Sequence, residues 1–451
     1  MLAQKGVEER RRAQVVRTRN PRLNSGGKIK AAIRDAHWIL AVFFLSLLQP
    51  AFTSFYIGEL RLNLYRVILL LTVIPCLLRL FSRRCGKILA CDVLLLAHTA
   101  WIPIALSVVH DPTQGLKTGG IYFVEAVGAY LLGRCYIRDI KTFRGFAALY
   151  CGAVIMLAVF TIPEAVTGQN VLQPSMGHLP DRRYGLLRAF GPFDHPILLG
   201  VFCATGLGLG WYGLALNDRI GLARPIRSGL IAVSAFMSVS SGAMAALMVQ
   251  AILIVWDRAT RKFPHRWLAL LGLFIAMYIF VAAFSNRTPM TVMLDYLTFN
   301  ADTAFGRVLI WNYGTEELAR HPIFGIGMNS WTHPTWISDS IDNFWLATAM
   351  VYGYPAIITL GGAILYVLLG VMRRKSSDPQ YVRCKMAWLV SMGGLIVSAF
   401  TVHLWNALFV LLCLLLGSGV WLLEAGTSLP ARRIQTTRGR ANVKAAEVRD
   451  D

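Results

Sequence analysis

Residues 307–343 read RVLIWNYGTEELARHPIFGIGMNSWTHPTWISDSIDN. This stretch is rich in Arg, His, Trp and Gly, and apolar runs at 266–285 and 343–371 flank it. Each run reaches the roughly 20 residues that a helix needs to cross about 30 Å of hydrocarbon. A chain that brackets one polar loop with lipid-facing helix holds that loop at a membrane surface.

Further apolar runs lie at 37–57, 62–80, 88–109, 119–137, 143–163, 196–216, 226–257, 386–402 and 404–424. With 55% hydrophobic and only 15% charged residues, and a mean hydropathy of +0.52, the 451-residue chain reads as all-α: a polytopic integral membrane helix bundle. The net charge of +21 would suit nucleic acid, but most Lys and Arg sit in tails and in short turns between apolar runs. That is the positive-inside pattern, so the bilayer is the expected partner and nucleic acid is not. The eight cysteines form no CxxC pair and none falls in a predicted outer loop, so neither a disulfide nor a thiolate metal site is expected.

Basic turns around Arg83, Arg134, Arg224, Arg258, Arg373 and Arg432 test the topology. All can face the cytoplasm only if the run 226–257, bracketed by Arg227 and Arg258, crosses twice and turns at Ser240, Ser241 and Gly242. This predicts about 12 crossings with both termini cytoplasmic. The expected division is a basic tail at 1–36, a membrane domain at 37–424 with outer loops at 164–195 and 286–342, and a polar tail at 425–451. In a Gram-negative cell the outer side is the periplasm. Within the larger loop, 303–320 has helical spacing of apolar residues and stops at His321-Pro322, so this periplasmic loop is expected to be partly helical.

Four signals in the outer loops carry chemistry. Arg182, Arg183, Arg188, Arg287, Arg307 and Arg320 lie where the positive-inside rule disfavours them. As a set, their planar guanidinium groups suit bidentate phosphate recognition and can stabilise a diphosphate leaving group without a metal. The alternative is headgroup binding, or pairing with Asp181, Glu316 and Glu317. Second, RAFGPFDHPILLG at 188–200 places Asp194 and His195 at a helix start: either Asp194 simply caps the helix, or the pair is functional and His195 touches substrate. Third, HPIFGIGMNSW at 321–331 lacks the preceding strand and the further glycine or GK[ST] ending of a nucleotide loop. It reads better as an aromatic groove, with His321 and with Trp311, Trp331 and Trp336 available to stack on sugar rings. Fourth, Asp342-Asn343 opens the next membrane helix. It is either a cap, or a carboxylate base of raised pKa that takes a proton from a hydroxyl.

In these residues the chain resembles the bacterial O-antigen ligase and O-antigen polymerase superfamily, which includes exopolysaccharide and capsule polymerases. The resemblance rests on Arg188-Ala-Phe-Gly-Pro-Phe-Asp-His-Pro, on Ser240-Ser-Gly-Ala, and on the order Arg307, Trp311, His321-Pro-Ile-Phe-Gly-Ile-Gly, Asp342-Asn343, Gly353. It covers roughly residues 60–424.

The resemblance implies a glycosyltransferase of the bacterial inner membrane. It would polymerise undecaprenyl-diphosphate-linked oligosaccharide repeats onto the hydroxyl of a glycan acceptor at the periplasmic face, with no cofactor and no metal. Arg188 and Arg307 stand at matching arginine positions and would bind the diphosphate; Arg287, His195, His321, Trp311 and Asn343 complete the expected substrate contacts. Many members have His where this chain has Asp342, so the base would be Asp342 itself or the nearby His333. A flippase and a chain-length regulator are expected partners. Two other readings stay open: ligation of glycan to lipid A-core, and non-enzymatic transport of lipid-linked sugars. Transport calls for charged residues along the spans, where the sequence has few beyond Asp92 and Glu125.

Overall fold

A computed structural model describes residues 36–50, 53–57, 60–174, 182–215, 217, 220–296 and 301–425. All but the innermost residue of each expected tail, at 1–36 and 425–451, Arg219 of one basic turn, and parts of the 164–195 and 286–342 loops fall outside them. Among the described residues the regular structure is helical apart from two short antiparallel hairpins, β1 (Phe55–Ile57) with β2 (Leu60–Leu62) and β3 (Arg182–Arg183) with β4 (Leu186–Leu187).

The helices, in chain order, are α1 (Trp38–Ser46), α2 (Leu64–Phe81), α3 (Ala90–Val109), α4 (Pro112–Phe123), α5 (Ala129–Tyr136) and α6 (Ile140–Thr167). Then come α7 (Pro196–Gly208), α8 (Ala223–Phe236), α9 (Ser241–Ala259), α10 (Arg266–Phe284), α11 (Pro289–Tyr296) and α12 (Ala301–Arg320). The series closes with α13 (Phe344–Tyr352), α14 (Tyr354–Arg373), α15 (Pro379–Ser398), α16 (Ala407–Gly419) and α17 (Trp421–Glu424). π-helical turns at Val124–Gly128 and Leu209–Gly213 join α4 to α5 and extend α7.

Among the described residues, eight helical stretches are long and apolar enough to cross a bilayer. The chain is a multi-pass membrane protein. About twelve crossings are expected from the sequence; the eight leave out α8, which is only 14 residues long, and the 119–137 run, which a π-helical turn interrupts. The run at 37–57 stops at Ser46, after which the chain turns into the β1–β2 hairpin. The run at 343–371 breaks at Gly353, whose φ of +79° ends α13 and starts α14. The run at 226–257 also breaks, at residues 237–240.

That last break has the predicted sense. At the start of α8, Arg227 donates to the Gly210 carbonyl at the far end of α7, while Ser238, just past the end of α8, sits against Gly200 near the start of α7. Along α9, Ala243 lies beside Gly200, Gln250 donates to the Ala204 carbonyl, and Asp257 accepts from Tyr212. So α8 runs antiparallel to α7 and α9 returns parallel to it, which brings Arg227 and Arg258 to the same end of the bundle.

Local chemistry sets the helix ends. Asp111 caps α4 by accepting from the Gln114 N–H, with Pro112 in the first turn where a missing N–H is harmless. Asp139 and Thr142 cap α6 reciprocally, and Gly168 closes it in the left-handed region. The central helix is α16, buried over 94% of the Ala407–Glu424 window. It packs on α5 through Gly133 and Gly417, where an added Cβ would run into the Leu414 and Tyr130 carbonyls. α10, apolar on every face, buries none of its residues and lies against lipid.

The two ends of the bundle differ. At the basic end, Arg134 donates to the Cys85 and Lys87 carbonyls and to Glu424, Arg138 donates to the Arg84 carbonyl, and Lys385 donates to the Met372 carbonyl. The opposite, loop end gathers the chain around 188–195, the α8–α9 break, the α15–α16 turn and the long segment before α13.

Candidate active site at the loop end

The segment Arg188-Ala-Phe-Gly-Pro-Phe-Asp-His is held by its backbone. Glu164, near the end of α6, accepts from the Phe190 and Gly191 N–H groups at 2.9 and 3.0 Å. Asn170 and Gln173 donate to the Gly191 carbonyl, and the Ala189 N–H donates to the Met237 carbonyl at the α8–α9 break. Gly191, at φ +56°, makes the turn. His195, rather than Asp194, caps α7: its Nδ1 accepts from the Ile197 N–H at 3.2 Å. Asp194 accepts instead from Asn406 at 2.9 Å, tying this segment to the α15–α16 turn.

Asp342 and Asn343 differ in what they contact. Asn343 is buried and caps α13 through the Leu346 N–H at 3.0 Å. The Phe344 N–H donates to the Ala399 and Val402 carbonyls, which fixes the start of α13 against the α15–α16 turn. Asp342 is not the cap. It accepts a long 3.4 Å contact from the Ser340 hydroxyl and faces the charges of Arg307 and Arg188.

Arg307 stands on α12, which rests on a small apolar core of its own built from Ile310, Leu318, Leu346 and Met350, with Trp311 packed at the edge. Gly314 lets α12 approach Leu346 and Met350 of α13 closely. Arg307 is itself buried, and burial, together with the like charge of Arg183, lowers its pKa to about 10 even though Asp342 works in the other direction. Burial raises the Asp342 carboxyl above its ordinary range, against the pull of Arg307 and Arg188. Burial first, then the charges of Arg188 and Arg183, lowers His195 to about 4, so its imidazole is neutral near pH 7. Arg183, Arg188, Arg307, Asp342 and His195 therefore share one electrostatic field.

Other expected contact residues make contacts of their own. His333 is held on both sides, Nδ1 at 2.9 Å from the Pro334 carbonyl and Nε2 at 2.8 Å from Asp339. His321 is exposed beside Glu317 at 3.5 Å. Arg287 lies in the exposed turn after α10. The glycine motif is a backbone clasp: Ile326 and Gly327 donate to the Met350 and Val351 carbonyls, and Tyr354 donates to the Pro322 carbonyl. Gly325, Gly327 and Gly353 all have positive φ, and a Cβ on Gly353 would strike the Ile323 carbonyl.

The α15–α16 turn also reaches the site. His403 stacks on Trp405 at 5.9 Å and 17°, Trp405 meets His195 at 5.9 Å, and His403 meets Phe344 at 6.0 Å. Its only signal in the sequence is a His-Leu-Trp-Asn group between two apolar runs, which reads as an ordinary connection.

Residues 228–361 match the protein-family model described as O-Antigen ligase. The match starts in α8 and ends in α14, spanning the α8–α9 break, Arg307, Asp342 and the Gly353 clasp. Over that segment the chain is similar to the O-antigen ligase family. The ligase-type segment is a little under a third of the chain, and Arg188, His195 and His403 lie outside it. A search of curated proteins gave no match.

Proposed function

We propose that the chain is an inner-membrane glycosyltransferase that joins undecaprenyl-diphosphate-linked oligosaccharide repeats into a surface or secreted polysaccharide. The observation that carries this reading is the half-buried carboxylate of Asp342 facing Arg307 and Arg188, with Arg183 acting in turn on Arg307 and His195. By the positive-inside rule the basic end is cytoplasmic, which puts this group at the periplasmic face and both termini inside. The expected division into a membrane domain at 37–424 and two polar tails belongs to the same reading.

In the proposed step, Asp342 takes the proton of an acceptor hydroxyl as its oxygen bonds to the anomeric carbon of the donor. The bond from that carbon to the diphosphate oxygen breaks, and undecaprenyl diphosphate leaves with the electron pair. Arg307 and Arg188 stabilise the charge that builds on the diphosphate in a site of low dielectric. His195 stays neutral and serves as a donor to substrate. His333 pairs with Asp339, whereas Asp342 faces the charges of Arg307 and Arg188, which favours Asp342 as the base.

The family description favours a second reading, ligation of glycan to lipid A-core. It uses the same residues with a different acceptor. Transport is disfavoured because the intramembrane carboxylates are committed to packing: Asp92 pairs with Arg134, and Glu125 with Arg66 at 2.7 Å.

Glycan from a deletion strain carrying wild type, Arg307→Ala or Asp342→Asn separates the readings, once equal membrane levels are verified. A polymerase predicts a ladder of long chains with wild type and single repeats with either variant. A ligase predicts long chains throughout that stay on the lipid carrier in the variants. Normal ladders in both variants would exclude this site.

A further inference from the structure

The α15–α16 turn has more structure than a connection requires. Asn406 has a φ of +48°, unusual for a residue with a side chain, and is held there by its hydrogen bond to Asp194. Such strain is kept where surrounding contacts enforce it, and it is found most often at working sites. The turn sets Trp405 against two imidazoles, His195 from the start of α7 and His403 from its own loop, each 5.9 Å from it. None of the three rings is fully buried.

Both imidazoles present the same nitrogen. His195 spends its Nδ1 lone pair on the Ile197 N–H, so its proton is on Nε2. In His403, Nδ1 is buried and meets no hydrogen-bond partner among the described residues. A buried N–H without an acceptor is the costlier arrangement, which again places the proton on Nε2. Burial lowers both rings to about 4, so the pair is uncharged near neutral pH.

An indole plane flanked by two neutral N–H donors suits a ligand with an apolar face and hydroxyls at its rim, and it suits an anion less well. A sugar ring has that character: its C–H groups pack on an aromatic face while its hydroxyls accept hydrogen bonds. We infer that His195, Trp405 and His403 form a glycan-binding subsite, which holds a sugar of the repeat beside the arginine and Asp342 group. The subsite rests on the glycosyl-transfer reading and divides the labour within it. The arginines hold the diphosphate; the α15–α16 turn holds sugar.

The test uses the purified full-length protein and two probes, inorganic pyrophosphate and the soluble oligosaccharide of one repeat released by mild acid from the source cell's own lipid-linked glycan. Binding is read from ligand-dependent thermal stabilisation. Trp405→Leu and His403→Leu are expected to weaken oligosaccharide binding about tenfold and leave pyrophosphate binding unchanged. His403→Gln, whose side-chain amide can replace the Nε2–H donor, should bind within about threefold of wild type. The proposal is overturned if the Leu variants bind oligosaccharide as wild type does, or if wild type transfers glycan without binding the oligosaccharide. It is equally overturned if His403→Gln loses both probes along with the Leu variants, since the turn would then serve folding alone. Failure of the underlying reading has a different sign: wild type would release no lipid diphosphate from intact donor.

Discussion

At the scale of single residues, the account turns on Asp342 being a base rather than a cap. Removing a positioned general base slows a reaction by about 10² to 10⁴-fold, and Asp342→Asn should fall in that range while Asn343 still caps α13. The pH profile gives a second check. A base must be ionised, and burial raises the Asp342 carboxyl, so activity should fade on acidification through a pKa above the ordinary carboxylate range. Arg188 holds that pKa down, so Arg188→Gln should move the acid limb to higher pH. The same shift bears on stability. A carboxyl whose folded pKa is raised favours the folded state least once it is ionised, so Asp342→Asn should leave melting at neutral pH unchanged or higher. Spacing alone could not divide the Asp342-Asn343 pair, because both residue types cap helices well. The hydrogen bond from Leu346 divides it. His403 was illegible for another reason: its neighbours Trp405 and His195 come together only when α7 and α16 pack.

At the scale of elements, the glycine motif is a fastening. Gly353 sits at φ +79° under the Ile323 carbonyl, so Gly353→Ala should both strain the turn and push the 322–327 clasp away. Arg307 and Asp342 hang from helices joined at that clasp, and a displacement near 1 Å can lower a rate about 10²-fold. The expected result is a protein that inserts at normal levels and transfers poorly, measured as initial rate per inserted molecule. Gly417 makes the contrasting case. It lies where α16 meets α5, far from the loop end, and a larger residue there meets the Tyr130 carbonyl. Gly417→Val should destabilise by about 1–3 kcal/mol, read as a lower melting temperature, with the rate of the surviving fraction intact. Apolar runs located most spans well, because lipid demands them of any crossing helix. They located the breaks less well. Gly353 and the end of α1 at Ser46 depend on backbone contacts that no hydropathy window reports.

At the scale of the whole molecule, the charge pattern proved the most informative part of the sequence. The requirement that Arg227 and Arg258 share a side predicted a hairpin, and α8 and α9 run in opposite directions beside α7. Sidedness follows as a prediction. All eight native cysteines are buried, so single cysteines added at exposed positions can be labelled against a low background. Thr335→Cys, in the loop-end segment, should react in intact spheroplasts with a membrane-impermeant maleimide. Lys262→Cys, between α9 and α10, should react only after the membrane is opened.

The most direct measurement is release of undecaprenyl diphosphate from lipid-linked repeats by purified protein in bilayer discs, comparing wild type, Arg307→Lys and Asp342→Asn. Lysine keeps the charge of arginine but loses its planar two-point grip, so Arg307→Lys should be slower by about 10² to 10³-fold. Asp342→Asn should release almost no lipid diphosphate at any pH. Release by Asp342→Asn at the wild-type rate would contradict the account, because the proton of the acceptor hydroxyl would then be taken elsewhere.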